Sequence, residues 1–371
     1  MGARMTADSN PKYWKQYTNF QRVKHELIRQ YLGGWFPILG SWSGRVLYLD
    51  THAGRSAHAA GQLGSPLIAL QTLLQHSHRD RLIRRCEFRF IFIERDEANK
   101  AALDREVANL GALPPAISIE SRSGDCFQAL ESMLGDLRET RSRLAPAFIF
   151  VDPYGFRVPG ALLAQLMRAG RVELFVNVIW RELDMEISQG RAGQAGAAAV
   201  LDEVFAGPEW RHRIVSDDFD ERADQCVELV TEKMSARWAT PIRMLSENRK
   251  TRYLLLHLTN HDAGRRLMKD CMWNVCPAAD GGFSAGKSSQ QLLIEPEPDF
   301  APLREWVLAQ IDAGPVRWQT LHDRVLAEIW REKHVNDVVR SLRKKKLIEG
   351  RDYQGTCTPK NNPFLVRRST S

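Results

Sequence analysis

Val46-Leu47-Tyr48-Leu49-Asp50-Thr51-His52-Ala53-Gly54-Arg55-Ser56 sets the architecture of this chain. An apolar run leads into an acid, and Ala53-Gly54 then opens a turn. A buried parallel strand ends in this way at a nucleotide-type site. The strand carries Asp50 to the carboxyl edge of a sheet, and a glycine lets the following backbone approach a ligand without a Cβ in the way. The loop is neither the Gly-x-Gly-x-x-Gly of a dinucleotide fold nor the Gly-Lys-Ser/Thr of a phosphate loop. An ordinary strand-to-helix turn is the plain alternative, and the acids that end the later strands, in matching order, weigh against it.

Further along, Gly64-Ser65-Pro66 opens an apolar helix through Leu74, with Pro66 suited to its first turn. Phe88 to Ile93 forms a second strand that ends on Glu94. An acid there can accept hydrogen bonds from both hydroxyls of a ribose. It stands 44 residues after Asp50, against about 20 in the dinucleotide fingerprint, a gap attributed to the extended loop after Gly54. A helix from Glu97 to Leu110 and a short strand from Ala116 to Glu120 come next, then Ser123-Gly124-Asp125-Cys126. The fourth strand, Ala147 to Val151, runs straight into Asp152-Pro153-Tyr154-Gly155, and a fifth spans Val172 to Val178. A turn with proline and glycine accounts for the backbone there. It does not account for an acid and an aromatic ring together at the functional edge of the sheet. Trp180, next in line, suits either that pocket or the core.

Before the first strand, a helix from Lys12 to Leu32 presents Phe20, Val23, Leu27, Ile28 and Tyr31 on one face, and Gly33-Gly34 is expected to stop it. Lys24, His25 and Glu26 are expected on a solvated or salt-bridged face. Residues 181–250 interrupt the alternation with amphipathic helices around Gly196 to Phe205 and Asp220 to Trp238. The sheet resumes with Tyr253 to Thr259, a helix from Asp262 to Met272, and a last strand at Gln291 to Ile294.

The 371 residues, 43% of them hydrophobic, suffice for a large core and two or three domains. No apolar run reaches the roughly 18 to 20 residues of a membrane span, and no signal-peptide pattern opens the chain, so a cytoplasmic protein is expected. Six cysteines without a Cys-x-x-Cys spacing give neither a disulfide framework nor a metal site. From Ala301 onward fourteen Lys and Arg stand against eight Asp and Glu, so this tail carries nearly all of the formal charge of +7. Three short amphipathic helices lie there, Leu303 to Ile311, Leu321 to Ile329 and Val335 to Leu342, followed by extended pieces. The pattern reads as a winged helix whose Arg340, Arg343, Lys344, Lys345 and Lys346 meet nucleic acid, although many winged helices bind proteins.

The ordered set resembles the three-Cys-motif partner family, TcmP. Its carriers are Lys24-His25-Glu26-Leu27 with Tyr31-Leu32, Asp50-Thr51-His52-Ala53-Gly54, Gly64-Ser65-Pro66-Leu67, Phe92-Ile93-Glu94, Val151-Asp152-Pro153-Tyr154-Gly155, and Asn260-His261 through Met268-Lys269-Asp270. The Asp-x-x-Ala-Gly loop is similar to motif I of S-adenosylmethionine methyltransferases, including those of large-subunit ribosomal-RNA adenine. The resemblance implies an α/β, Rossmann-like methyltransferase sheet, mostly parallel with helices on both faces.

Four segments are expected: an N-terminal helical segment at 1–45, the core at 46–180 and 251–295, a helical insertion at 181–250, and a winged helix at 301–371. S-adenosylmethionine would be held by Asp50, His52, Ala53 and Gly54, with Glu94 on the ribose and Asp125 on the adenine. Asp152, Pro153 and Tyr154 would face the acceptor. Base-methylating enzymes carry Asp/Asn-Pro-Pro-aromatic at that position, which favours a base amino group; here one proline is missing and Tyr154 sits one place earlier. The implied function is methyl transfer to nucleic acid. The alternative is a non-catalytic nucleic-acid- or protein-binding partner of a three-cysteine-motif protein.

Overall fold

The computed structural model describes residues 17–58, 61–246, 248–276, 283–285 and 298–368. The chain divides into two compact units: Met1–Cys271 with Ser284–Gln290, and Met272–Phe283 with Gln291–Ser371.

The first unit is built on β1 (Arg45–Asp50), β2 (Glu87–Glu94), β3 (Ile117–Ser123), β4 (Leu144–Val151), β5 (Gly170–Val178), β6 (Trp238–Leu245) and β7 (Thr251–Thr259), with β8 (Phe283–Ala285) at the edge. The order is β3-β2-β1-β4-β5-β7-β6-β8. Pairings from β3 across to β5 are parallel, and β7 runs antiparallel to both β5 and β6. This is a Rossmann-like sheet, and its strand order reverses after β1, where β4 is laid beside it. A ligand crevice forms at such a switch point, outside the carboxyl ends of the strands.

Side-chain alternation decides which acids meet. Leu47, Leu49, Ile91, Ile93, Ala147, Ile149 and Val151 pack on one face with α5 (Cys126–Glu139) and α6 (Gly160–Arg168), the helices being numbered in chain order among the described residues. Tyr48, Phe90, Phe92 and Phe148 take the other face. There Tyr48 stacks on Phe148, and Phe148 also meets Trp35 of α1 (Asn19–Gly40). Asp50, Glu94 and Asp152 continue this second series, and Asp152 meets α1 through Lys24.

Helix α1 corrects the expected stop at Gly33-Gly34. It runs on to Gly40, because a glycine is needed at Gly34 for packing: a Cβ there would lie 2.5 Å from Leu267 Cδ1. Pro37 also lies inside the helix. It cannot serve the Gly33 carbonyl four residues back, and His76 Nε2 stands 3.0 Å from that oxygen instead.

Between α1 and the second strand lie α2 (Ser65–Leu74) and α3 (Arg79–Ile83), and α4 (Glu97–Ala108) comes after that strand. Residues 181–250 are not helical throughout. α7 (Trp180–Arg191), α8 (Ala195–Val204), α9 (Trp210–Arg213) and α10 (Phe219–Lys233) occupy most of them, and β6 then enters the main sheet. The helix expected to reach Trp238 stops at Lys233. Thr240, Ile242 and Met244 alternate inward, a period-2 signal masked by Pro241, since proline argues against an interior strand. Trp180 is fully buried among Leu183, Leu201, Trp210 and Leu229, so it belongs to the core. After β7 comes α11 (Asp262–Val275). The strand expected at Gln291 to Ile294 lies outside the described residues.

The second unit contains α12 (Ala301–Asp312), β9 (Val316–Arg317), α13 (Trp318–Val325), α14 (Glu332–Lys344), β10 (Ile348–Gly350) and β11 (Phe364–Arg367). The strands form an antiparallel sheet in the order β10-β11-β9. Trp273 packs against Phe300, Trp330 and His334.

Candidate functional site

β1 delivers Asp50 to a place with no solvent exposure. Its Oδ1 accepts the His52 amide at 3.2 Å, and the Tyr48 hydroxyl lies 3.4 Å from Oδ2. Burial pushes its carboxyl up to about 7, against the opposing hydrogen bonds from Ser65 and the His52 amide. The backbone then turns through Ala53, whose amide donates to the Ile93 carbonyl at 3.0 Å. Gly54 is next, with φ of 62°, the left-handed region that glycine enters without strain.

Glu94 closes that turn. Its Oε2 accepts the Gly54 amide and its Oε1 the Asp96 amide, both at 2.7 Å, and the residue is 2% exposed. Burial raises its pKa, and the two amides work against the rise. Asp125 is the N-cap of α5: Oδ1 accepts the amides of Phe127 at 2.9 Å and Gln128 at 3.0 Å. The carboxylate itself is exposed. His52 is held neutral, lowered to about 4 chiefly by burial, with its Nδ1 2.7 Å from Thr51 Oγ1.

A solvent-open cleft beside Asp50 takes in Thr51, His52, Glu94, Asp125, Pro153 and Tyr154, with Arg95 and Arg157 also on its walls. Tyr154 is 65% exposed.

Asp152 stands beside the cleft and is not bare. Its Oδ2 pairs with the Lys24 ammonium, and Asn177 Nδ2 donates to Oδ1 at 2.7 Å. Burial alone would raise its pKa; Lys24 and Asn177 outweigh that and hold it below the usual carboxylate range. Of the two surroundings expected for Lys24, the salt-bridged one is found, on a buried rather than a solvated face. The residue lies four residues after Phe20 and four before Ile28, on the buried stripe of α1, and spacing alone could have revealed it. His25 is buried too, meets the Tyr17 hydroxyl at 3.0 Å, and is lowered to about 3 by burial and by Lys24. Asn177 was legible only through register: Val151 pairs with Val176, so the next residues, Asp152 and Asn177, come side by side.

The basic residues of the second unit divide. Lys344, Lys345 and Lys346 are exposed, and Arg340 is exposed beside Asp337 at 3.0 Å. Arg343 instead donates to the Gly355 carbonyl at 2.7 Å, tying α14 to the segment before β11.

No family model matches the chain, and no curated protein matches it. Among solved structures, similarity is found to a methyltransferase candidate from Porphyromonas gingivalis W83, at 12% identity over 58% of this chain with a TM-score of 0.26. The chain spans only 37% of that protein. A Legionella pneumophila protein of the DUF519 family is 12% identical over 64% of this chain and 85% of its own, at TM-score 0.36. The methyltransferase domain of bacterial CtHen1 is 13% identical over 63% and 99%, at TM-score 0.30. Likenesses of this strength decide neither substrate nor activity; the chemistry of the cleft has to carry both. Among the described residues no cluster suits a metal ion, and no helix is long and apolar enough to cross a membrane.

Proposed function

We propose that the protein is an S-adenosylmethionine-dependent methyltransferase acting on nucleic acid. The observation that carries this reading is that Asp50, Glu94 and Asp152 end neighbouring strands on one face of the sheet at the switch point, beside a cleft lined by Glu94 and Asp125.

The residues fit an adenosyl group. A Cβ at Gly124 would meet nothing within 4 Å, so the cleft has room where the adenine would lie. A carboxylate offers about four lone-pair sites, and Glu94 spends up to three on the amides of Gly54, Arg95 and Asp96, which leaves an acceptor for a ribose hydroxyl. Asp50 suits the ammonium of the methionine end, whose charge would favour the ionised carboxylate that burial opposes. The bound cofactor would supply an already activated methyl group, so the chain's task is to bind, orient and exclude water.

Arg95 and Arg157 on the cleft walls suit phosphates, and Tyr154 suits a base as a stacking platform. The helix and strand order of the second unit supports a winged-helix reading, with Lys344, Lys345 and Lys346 on nucleic acid. Membership of the three-Cys-motif partner family, and hence a three-cysteine-motif protein as partner, rests on the ordered motifs alone.

The test is calorimetry with S-adenosylmethionine followed by transfer of labelled methyl to total RNA and to denatured genomic DNA. Binding with transfer is the expected result. Binding without transfer, with and without a three-cysteine-motif partner, would leave a non-catalytic binding protein, and no binding at millimolar cofactor would end the proposal.

A further inference from the structure

A buried cation stands behind the carboxylate that a methyl acceptor would meet. α1 turns Lys24 inward, 6% exposed, against Asp152, and its Nζ also lies 5.7 Å from the centre of the Phe150 ring. The helix cannot readily withdraw it, because Val23, Leu27, Ile28 and Tyr31 around it are all buried. Asn177 holds the other oxygen of the carboxylate, and its own Oδ1 is buried with no hydrogen-bond partner among the described residues. Asp152 keeps 16% of its side chain open beside the cleft.

We propose that the acceptor is a hydroxyl, the ribose 2′-hydroxyl of RNA, rather than a base amino group; this rests on the methyl-transfer reading above. The deciding quantity is the sign of the charge that develops. A neutral amine grows more positive as it takes a methyl group, and Lys24, by cancelling most of the Asp152 charge, withholds the support a bare carboxylate would give it. A hydroxyl oxygen grows more negative as its proton leaves, and a carboxylate whose charge is cancelled opposes that change less than a bare one would. As the hydroxyl oxygen forms its bond to the methyl carbon, the carbon–sulfur bond opens with its electron pair left on sulfur. The hydroxyl proton passes to the Asp152 carboxylate and on to water. Lys24 keeps that carboxylate ionised but makes it a weak base, so Asp152 takes the proton only as the oxygen–carbon bond forms and gives it up at once to water. Within a nucleic acid only RNA offers an internal sugar hydroxyl, the group by which proteins tell RNA from DNA.

The experiment has two arms. In the first, mixed-sequence 12-mer oligonucleotides in ribo and 2′-deoxy forms are titrated against the cofactor-free protein by fluorescence anisotropy. The ribo form should bind about tenfold tighter, and Lys24→Met should remove that preference while Lys24→Arg keeps it. Equal affinity of wild type for both forms overturns the proposal.

In the second arm, labelled methyl from S-adenosylmethionine is offered to total RNA and to denatured DNA, and the RNA is hydrolysed with alkali. Label should enter RNA only and remain in alkali-resistant dinucleotides, since a methylated 2′-oxygen cannot attack its phosphate. Label in DNA, or on a base in alkali-released mononucleotides, overturns the hydroxyl while leaving methyl transfer intact. Cofactor binding with no label in either nucleic acid also counts against it. Absence of cofactor binding, by contrast, removes the underlying reading. If Lys24→Met fails to fold, the charge-keeping Lys24→Arg and the alkali assay on wild type still decide.

Discussion

The Gly54 amide donates to Glu94 Oε2 at 2.7 Å, joining the loop after the first strand to the end of the second across 40 positions of chain. Glu94→Ala would strand that amide and the Asp96 amide in a place only 2% exposed. A loss of about 2–4 kcal/mol in stability is expected, together with a roughly 10- to 150-fold loss of cofactor affinity if the ribose shares the carboxylate. Chemical denaturation and calorimetry read the two separately. Lower stability with unchanged affinity would reduce Glu94 to an anchor for the loop.

Lys24 and Asp152 should behave as a coupled pair. Lys24→Met or Asp152→Leu alone leaves a buried charge unmatched and should cost about 3–5 kcal/mol. The double variant should be more stable than either single one. A double-mutant cycle in urea measures this, and simple additivity would mean the pair is not formed in solution.

Asp50 sets a pH dependence of stability. Its folded pKa, raised by burial to about 7, lies above the ordinary value of 3.8. The stability contributed by the neutral acid is therefore fully present below about pH 4 and is lost as pH rises through about 7. Asp50→Asn should thus gain on wild type across that window, by at most about 4 kcal/mol, and level off above it. Thermal melts at pH 4, 5.5 and 8 check the trend; a difference independent of pH would contradict it.

Tyr154, 65% exposed, has little to contribute to folding. Tyr154→Ala should leave stability within about 0.5 kcal/mol yet weaken single-stranded nucleic-acid binding by about 1–3 kcal/mol if it stacks on a base. Tyr154→Phe should bind like wild type. The opposite order in an anisotropy titration would assign the role to the hydroxyl.

Replacing Lys344, Lys345 and Lys346 with Ala should weaken duplex binding and flatten its salt dependence together, by about 0.9 in log–log slope for each phosphate no longer neutralised. Arg343→Ala should act differently. Because it holds the Gly355 carbonyl at 2.7 Å, its removal should first show as faster hydrogen exchange in residues 353–357. Identical salt slopes for wild type and triple variant would remove nucleic acid as the ligand of this unit.

Much of the sheet was legible because its strands are short apolar runs ending in acids: Val46 to Asp50, Phe88 to Glu94 and Ala147 to Asp152. Burial on both faces forces such runs, and the acids mark where the backbone leaves the core. The strand β6 was not legible, since Pro241 spoils its pattern. The extent of α1 was not either, because Gly34 serves packing against Leu267, a neighbour 233 positions away.

Residue order alone dictates most of the strands, places Asp50, Glu94, Asp125 and Asp152 at or just past strand ends, and gathers the basic charge in the last 71 residues. Local periodicity and turn chemistry suffice for that, because they act between near neighbours. What those acids face was settled by the folded chain. Glu94 is engaged by a loop amide, Asp125 by the start of a helix, and Asp152 by Lys24 and Asn177. The strand register and the helix that crosses the sheet bring such partners together, and whether a carboxylate awaits an amine or already neighbours a cation depends on a pairing that spans 128 residues.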